Sequence, residues 1–148
     1  MLIIGIDPGK SGGVAWVDLY GTVPFAAKMP DAVHELAELL RDVCSRDDCV
    51  KVYLEKVHAM PKQGVSSTFT FGQGLGQIEG VLAALQVPYE WVTPQRWQGA
   101  MACKTGGDKN VSKRKALELF PATKWTHATA DSALICEYGR RMEQRGSA

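Results

Sequence analysis

The chain has 148 residues, of which 45% are hydrophobic and 22% are charged, and its formal net charge is +1. This size and composition are typical of one globular domain, so we expect residues 1–148 to form a single domain. No apolar run reaches the ~18 residues of a membrane-spanning helix, which argues against a membrane protein. The four cysteines form no Cys-x-x-Cys pair and no secretory signal is visible, so we expect reduced thiols and a cytoplasmic location.

The charges are unevenly distributed along the chain. Residues 1–90 contain 7 Lys/Arg and 11 Asp/Glu, whereas residues 91–148 contain 10 Lys/Arg and 5 Asp/Glu. A basic C-terminal part is suited to contacts with phosphates. A solvated polar face explains the same distribution about equally well.

The first predicted strand ends in an acid. An apolar run over residues 2–6 leads into Asp7 and then into a Pro-Gly turn, a pattern typical of a buried strand. A buried carboxylate costs free energy unless it is paired or binds a metal. Alternatively, Asp7 simply caps the Pro-Gly turn.

The next segments predict a sheet in which a second acid joins Asp7. Residues 12–17 and 23–28 predict two further strands in an antiparallel meander, followed by an amphipathic helix that opens at Pro30. Residues 50–56 form another strand pattern that ends near Glu55. Because a helical crossover usually joins parallel strands, Asp7 and Glu55 are expected at the same end of the sheet. Pairing of Glu55 with a nearby lysine is the alternative.

A long helix is predicted from Ser67 onward, after a loop over residues 57–66. Glycines are poor helix formers, so their repetition in this helix indicates close approach, either to another helix or to a phosphate backbone. These glycines are Gly72, Gly74, Gly76 and Gly80.

The C-terminal part predicts a strand over residues 88–92, a helix from Thr93-Pro94, a glycine-rich loop and two further helices. The last helix is expected to start near residues 128–129 and to place Asp131 on its apolar stripe. His127 lies four residues earlier and shares that face if the helix includes it. Alternatively, Asp131 is an ordinary acidic residue in the first turn of the helix, where the helix dipole favours a negative charge.

Three acids at such positions predict a site for Mg²⁺, with Mn²⁺ as a substitute. Carboxylates gathered without a cationic partner do not stay ionised together unless a divalent cation binds. Oxygen ligands suit Mg²⁺ and Mn²⁺. Two such ions ~3.5–4 Å apart activate water and stabilise the leaving oxygen in phosphodiester cleavage.

The motifs in this order resemble the RuvC-type Holliday junction resolvases of the RNase H-like nuclease superfamily, and most closely the phage-encoded branch. The resemblance covers nearly the whole chain. It rests on the segments IGIDPG (4–9), LEKVHAMP (54–61), GVSSTFTFG (64–72), TPQRW (93–97) and ADSALI (130–135). It implies an α/β fold with a mixed five-stranded sheet flanked by helices, a homodimer, and Mg²⁺-dependent nicking of branched DNA in a bacterial or phage-infected cell.

The resemblance also implies roles for individual residues. Asp7, Glu55 and Asp131 match the catalytic, metal-binding acids. The family usually places a fourth ligand just before the last aspartate, where this chain has Ala128. Either His127 supplies that ligand from one position earlier, which we favour, or three protein ligands and water complete the site. The implied mechanism is hydrolysis with one ion orienting a water and the other stabilising the leaving 3′ oxygen.

Contacts with DNA are predicted from basic and aromatic residues outside the acids. Lysines and arginines would hold the phosphate backbone, and an aromatic ring would stack on an unpaired base or pack in the protein. These candidates are Lys62, Phe69, Lys104, Lys109, Lys113, Arg114 and Lys115.

The sequence also fits functions other than resolution of four-way junctions. The chain fits a nuclease for forks or flaps, or a branched-DNA-binding protein without cleavage. The Asp7-Pro8-Gly9 turn also resembles the phosphate loop of actin-like ATP-binding folds, but those need a second domain for which 148 residues leave no room.

Overall fold

The computed structural model describes residues 1–147, which form five strands and five helices. The strands are β1 (Leu2–Asp7), β2 (Gly13–Asp18), β3 (Phe25–Lys28), β4 (Val50–Glu55) and β5 (Tyr89–Val92). The helices are α1 (Val33–Cys44), α2 (Val65–Ala84), α3 (Pro94–Ala100), α4 (Lys109–Leu119) and α5 (His127–Gly146). No helix among these residues combines the length and the hydropathy needed to span a bilayer.

The strands form one mixed sheet in the order β3-β2-β1-β4-β5. The predicted meander is confirmed, since β1 pairs antiparallel with β2 and β2 antiparallel with β3. The predicted parallel pairing is confirmed too, because β1 runs parallel to β4, which runs parallel to β5. The carboxyl ends of β1, β4 and β5 therefore meet at one edge of the sheet.

Alternating residues of β1 serve two separate cores. Ile3 joins the core beneath α3, α4 and α5, whereas Ile4 and Ile6 join the core beneath α1 and α2. All three side chains are fully buried. Because this central strand is covered on both faces, its sequence is a continuous apolar run.

Two glycines allow α5 to pack closely against the sheet. A Cβ atom added to Gly5 would lie 2.3 Å from the backbone nitrogen of Cys136, and one added to Gly13 would lie 2.4 Å from the carbonyl oxygen of Ala128. Only glycine permits such close approach of two backbones. The contact places the first turns of α5 beside the carboxyl end of β1.

The glycines of α2 differ from those of the sheet. A Cβ atom added to any of the four would meet nothing within 4 Å. The predicted packing of another helix against them is therefore not made by any element within residues 1–147. The helix also begins at Val65, two residues earlier than predicted.

Candidate active site

Two acids lie side by side where β1 and β4 end. The register pairs Ile6 with Leu54, so that Asp7 and Glu55 follow on adjacent parallel strands. Each is only 8% exposed. The positions of both acids at one edge of the sheet agree with the sequence prediction.

The third acid, Asp131, belongs to α5. This helix begins at His127, earlier than predicted, because the Thr126 hydroxyl accepts a hydrogen bond from the backbone N–H of Thr129 and the Thr129 hydroxyl accepts one from the N–H of Thr126. This reciprocal capping fixes the start of the helix. Asp131 then lies in the second turn, partly buried, on the side that packs against β1.

The pKa values of all three acids are raised from their ordinary values. Burial raises the pKa of Asp7 well above its ordinary value, and the negative charges of Glu55 and Asp131 raise it further. Burial also raises the pKa of Glu55 to about 7, and the charge of Asp131 contributes to that rise. The pKa of Asp131 is raised mainly by burial. Burial of carboxylates beside other negative charges is typical of sites that bind a cation.

One ammonium group opposes this repulsion at all three acids. The positive charge of Lys109 lowers the pKa of Asp7, Glu55 and Asp131. Lys109 is the first residue of α4, whose N-cap Asp108 accepts a hydrogen bond from the N–H of Asn110 at 2.9 Å. The residue that the sequence predicted as a phosphate contact thus lies near the acids.

The hydrogen-bond partners of the acids differ. The indole Nε1–H of Trp97, fully buried on α3, donates to Oε2 of Glu55 at 2.6 Å. The Oδ1 atom of Asp131 is buried and has no hydrogen-bond partner. Nothing in the sequence pattern singled out Trp97 as a partner of Glu55, although a buried indole N–H usually finds an acceptor and the helix of Trp97 was predicted to follow β5.

The donor set fits a hard divalent cation. It consists of carboxylate oxygens, one of which is the unpartnered Oδ1 atom of Asp131. Within residues 1–147, no three His, Cys, Asp or Glu side chains are grouped so that they could hold a metal ion. Water or a DNA phosphate would have to complete the coordination, as is usual for Mg²⁺.

His127 lies at the rim of this cluster. It is exposed, and its Nε2 atom lies 3.0 Å from Oδ1 of Asn110 on α4. Its charge lowers the pKa of Asp131, so the ring is close enough to act on that acid. The role of His127 as a ligand stays a prediction.

The predicted DNA-contact residues lie on the surface around α2 and α4. Phe69 is 73% exposed on α2. Lys115 differs from the others, because its Nζ atom lies 3.0 Å from Oε1 of Glu118 and its side chain is only 19% exposed. The exposed basic residues are Lys62, Lys104, Lys109, Lys113 and Arg114.

The fold is shared with solved structures of resolvases. RuvC of T. thermophilus in complex with a Holliday junction substrate matches over 100% of this chain and 98% of its own, with a TM-score of 0.66 and 21% identity. A second Thermus thermophilus RuvC structure matches over 97% of each chain, with a TM-score of 0.66 and 18% identity. The yeast mitochondrial Holliday junction resolvase Ydc2 matches over 97% of this chain and 80% of its own, with a TM-score of 0.57 and 12% identity.

Sequence comparison gives no corresponding match. The sequence matches no protein-family model and resembles no curated protein sequence significantly. The structural likeness establishes the fold, an RNase H-like mixed five-stranded sheet flanked by helices, as predicted.

Proposed function

We propose that this chain is a divalent-metal-dependent endodeoxyribonuclease of the RuvC type, in its phage-encoded branch, that nicks branched DNA. Four-way junctions are the substrate we favour, cut by paired symmetric incisions. The observation that supports this most is the meeting of Asp7 and Glu55 at adjacent strand ends with Asp131 from α5. These acids lie on a fold that is similar to that of a RuvC solved in complex with a Holliday junction.

The three acids would hold Mg²⁺, or Mn²⁺ in its place. When bound, the metal lowers the pKa of a water nucleophile and neutralises charge that develops on the phosphate. The carboxylates of Asp7, Glu55 and Asp131 would provide oxygen ligands. The exposed ammonium of Lys109, near all three, would attract the phosphate that brings the remaining oxygens.

A homodimer would provide the two active sites that paired incision requires. The open glycine face of α2, with Val65 88% exposed and Phe69 73% exposed beside it, leaves room for a second copy of the chain. A two-fold axis would then present two identical sites to a symmetric junction.

The decisive experiment is cleavage of a synthetic four-way junction by the purified protein in Mg²⁺. We expect paired nicks that EDTA abolishes and Mn²⁺ supports. Asp7→Asn should lower the cleavage rate at least 100-fold while junction binding persists, because the substitution removes an acidic ligand and no phosphate contact. Asp18→Asn is the matched control, since Asp18 also ends a strand but pairs with Leu2 at the opposite edge of the sheet.

The other outcomes separate the alternatives. Junction binding without cleavage by the wild type would indicate a branched-DNA-binding protein. Faster cleavage of forks or flaps in a panel of branched DNAs would indicate a nuclease for those substrates. Wild-type activity in Asp7→Asn would remove Asp7 from the active site.

A further inference from the structure

Glu55 has a partner that belongs to neither the acids nor the basic surface. The Nε1–H group of Trp97 donates to Oε2 of Glu55 at 2.6 Å, and the tryptophan is 0% exposed. An indole has one hydrogen-bond donor and no acceptor, so Trp97 is the donor in this bond and the carboxylate is the acceptor. Hydrogen bonds to an ionised acceptor are among the stronger ones in proteins.

The indole ring is itself held firmly in place. Its helix, α3, follows β5 directly, and Val92 at the end of β5 pairs with Glu55. Thr93 caps the helix by accepting from the N–H of Arg96, with Pro94 as its first residue. The ring packs in the core beneath α4 and α5. Its N–H group therefore points in a fixed direction.

A second tryptophan in the same core shows what a structural indole does. Trp125 is 4% exposed and donates to the backbone carbonyl oxygen of Phe120 at 3.1 Å. A backbone acceptor is sufficient to satisfy a buried N–H group. Trp97 instead binds a carboxylate at the proposed metal site, and at a shorter distance.

We propose that Trp97 is a positioning residue that orients the Glu55 carboxylate for the divalent cation. With Oε2 fixed by the indole, rotation of the carboxylate breaks a buried hydrogen bond, so the remaining lone pairs stay directed. Outer partners of this kind usually change metal affinity by 10–100-fold when they are lost. The inference rests on the proposed function in one respect, because it assumes the divalent cation that the proposed nuclease uses.

The test compares Trp97→Phe with Trp125→Phe. Each variant removes one indole N–H from the same core and leaves an aromatic ring. Thermal unfolding in EDTA measures the loss of stability in each variant, so that it is separated from the loss of metal affinity. Titration calorimetry with Mn²⁺, without DNA, should show binding at least tenfold weaker in Trp97→Phe than in Trp125→Phe. Equal Mn²⁺ affinity in the two variants would overturn the proposal.

Cleavage assays add a second readout. In Trp97→Phe the Mg²⁺ concentration for half-maximal nicking should rise at least tenfold, while the affinity for the junction stays that of the wild type. If the wild type nicks no branched DNA, the proposed function fails, yet the Mn²⁺ comparison still decides the role of Trp97. If the wild type binds no Mn²⁺, the positioning role is overturned as well.

Nuclear magnetic resonance on the wild type decides the matter if Trp97→Phe does not fold. The chain has four tryptophans, and single Phe variants of Trp16, Trp91 and Trp125 assign the indole signal of Trp97 by elimination. That signal should move when Mg²⁺ is added and again in Glu55→Gln, while the signal of Trp125 stays in place. A Trp97 signal that moves in neither case would overturn the proposal.

Discussion

At the scale of single residues, the site is a set of carboxylates in which the pKa of one acid depends on the charge of its neighbours. Asp7 and Glu55 are buried side by side, and each has a raised pKa. The single positive charge of Lys109 acts on all three acids but cannot balance three negative charges. The residues around these acids therefore decide how the proposed cation binds.

His127 is the residue whose role the structure narrows most. Because Oδ1 of Asn110 only accepts hydrogen bonds, its contact with the ring makes Nε2 of His127 the donor. In the neutral ring the Nδ1 atom then keeps its lone pair, which is the arrangement of a metal-binding histidine held by an outer partner.

We predict that His127→Ala raises the Mg²⁺ concentration for half-maximal cleavage by about tenfold. Asn110→Ala should change it in the same direction and by less, because it removes only the outer partner. Both values come from nicking rates measured across a Mg²⁺ series. An unchanged requirement in His127→Ala would leave a site of three carboxylates and water.

At the scale of secondary structure, glycines serve two opposite purposes. Gly5 and Gly13 bring the backbone of α5 against the sheet, and this contact is what delivers Asp131 to β1. The α2 glycines instead face open space. A glycine inside an apolar strand indicates close approach in general terms, but nothing in the sequence identifies the partner.

We predict that Gly76→Leu separates the proposed dimer into monomers. A Cβ atom at this position meets nothing within the chain, and leucine favours a helix by up to ~1 kcal/mol over glycine, so the monomer should unfold at the same or a higher temperature. Light scattering after size-exclusion chromatography measures the molar mass of the protein in solution and so distinguishes a dimer from a monomer.

The control for this experiment is Gly99→Leu on α3, where an added Cβ atom also meets nothing. This variant should keep the mass of the wild type. A Gly76→Leu protein that remains dimeric would show that the glycine face of α2 is not the interface.

At the scale of the whole molecule, the antiparallel meander and the meeting of Asp7 and Glu55 were predictable because both depend on short patterns along the chain. Apolar runs, turns and one helical crossover determine which strands are parallel and where their acids lie. The hydrogen bond between Trp97 and Glu55 was not predictable, since 42 residues separate them and only the packed core brings them together. The same holds for His127 and Asn110, which are joined by the docking of α4 on α5.

The stability of the metal-free protein should fall as pH rises from about 4.5 to about 7. In this range the folded chain keeps a proton on Glu55, whose pKa is about 7, while the unfolded chain, with an ordinary value of 4.5, has lost it. The unfolded state then binds fewer protons, so the free energy of unfolding decreases with pH, by about 3 kcal/mol for this group.

Thermal unfolding in EDTA at pH 5, 6, 7 and 8 measures this loss, and Glu55→Gln identifies its source. The uncharged glutamine should make the profile less steep between pH 5 and 7, because the carboxyl group of Glu55 is gone, whereas those of Asp7 and Asp131, whose pKa values are also raised, remain. Mg²⁺ should raise the unfolding temperature more at pH 8 than at pH 5, since the ion competes with protons for the same oxygens. A wild-type profile that rises from pH 5 to 7 and coincides with that of Glu55→Gln would show that Glu55 ionises normally, and the acids would then not form the coupled site on which the proposed nuclease depends.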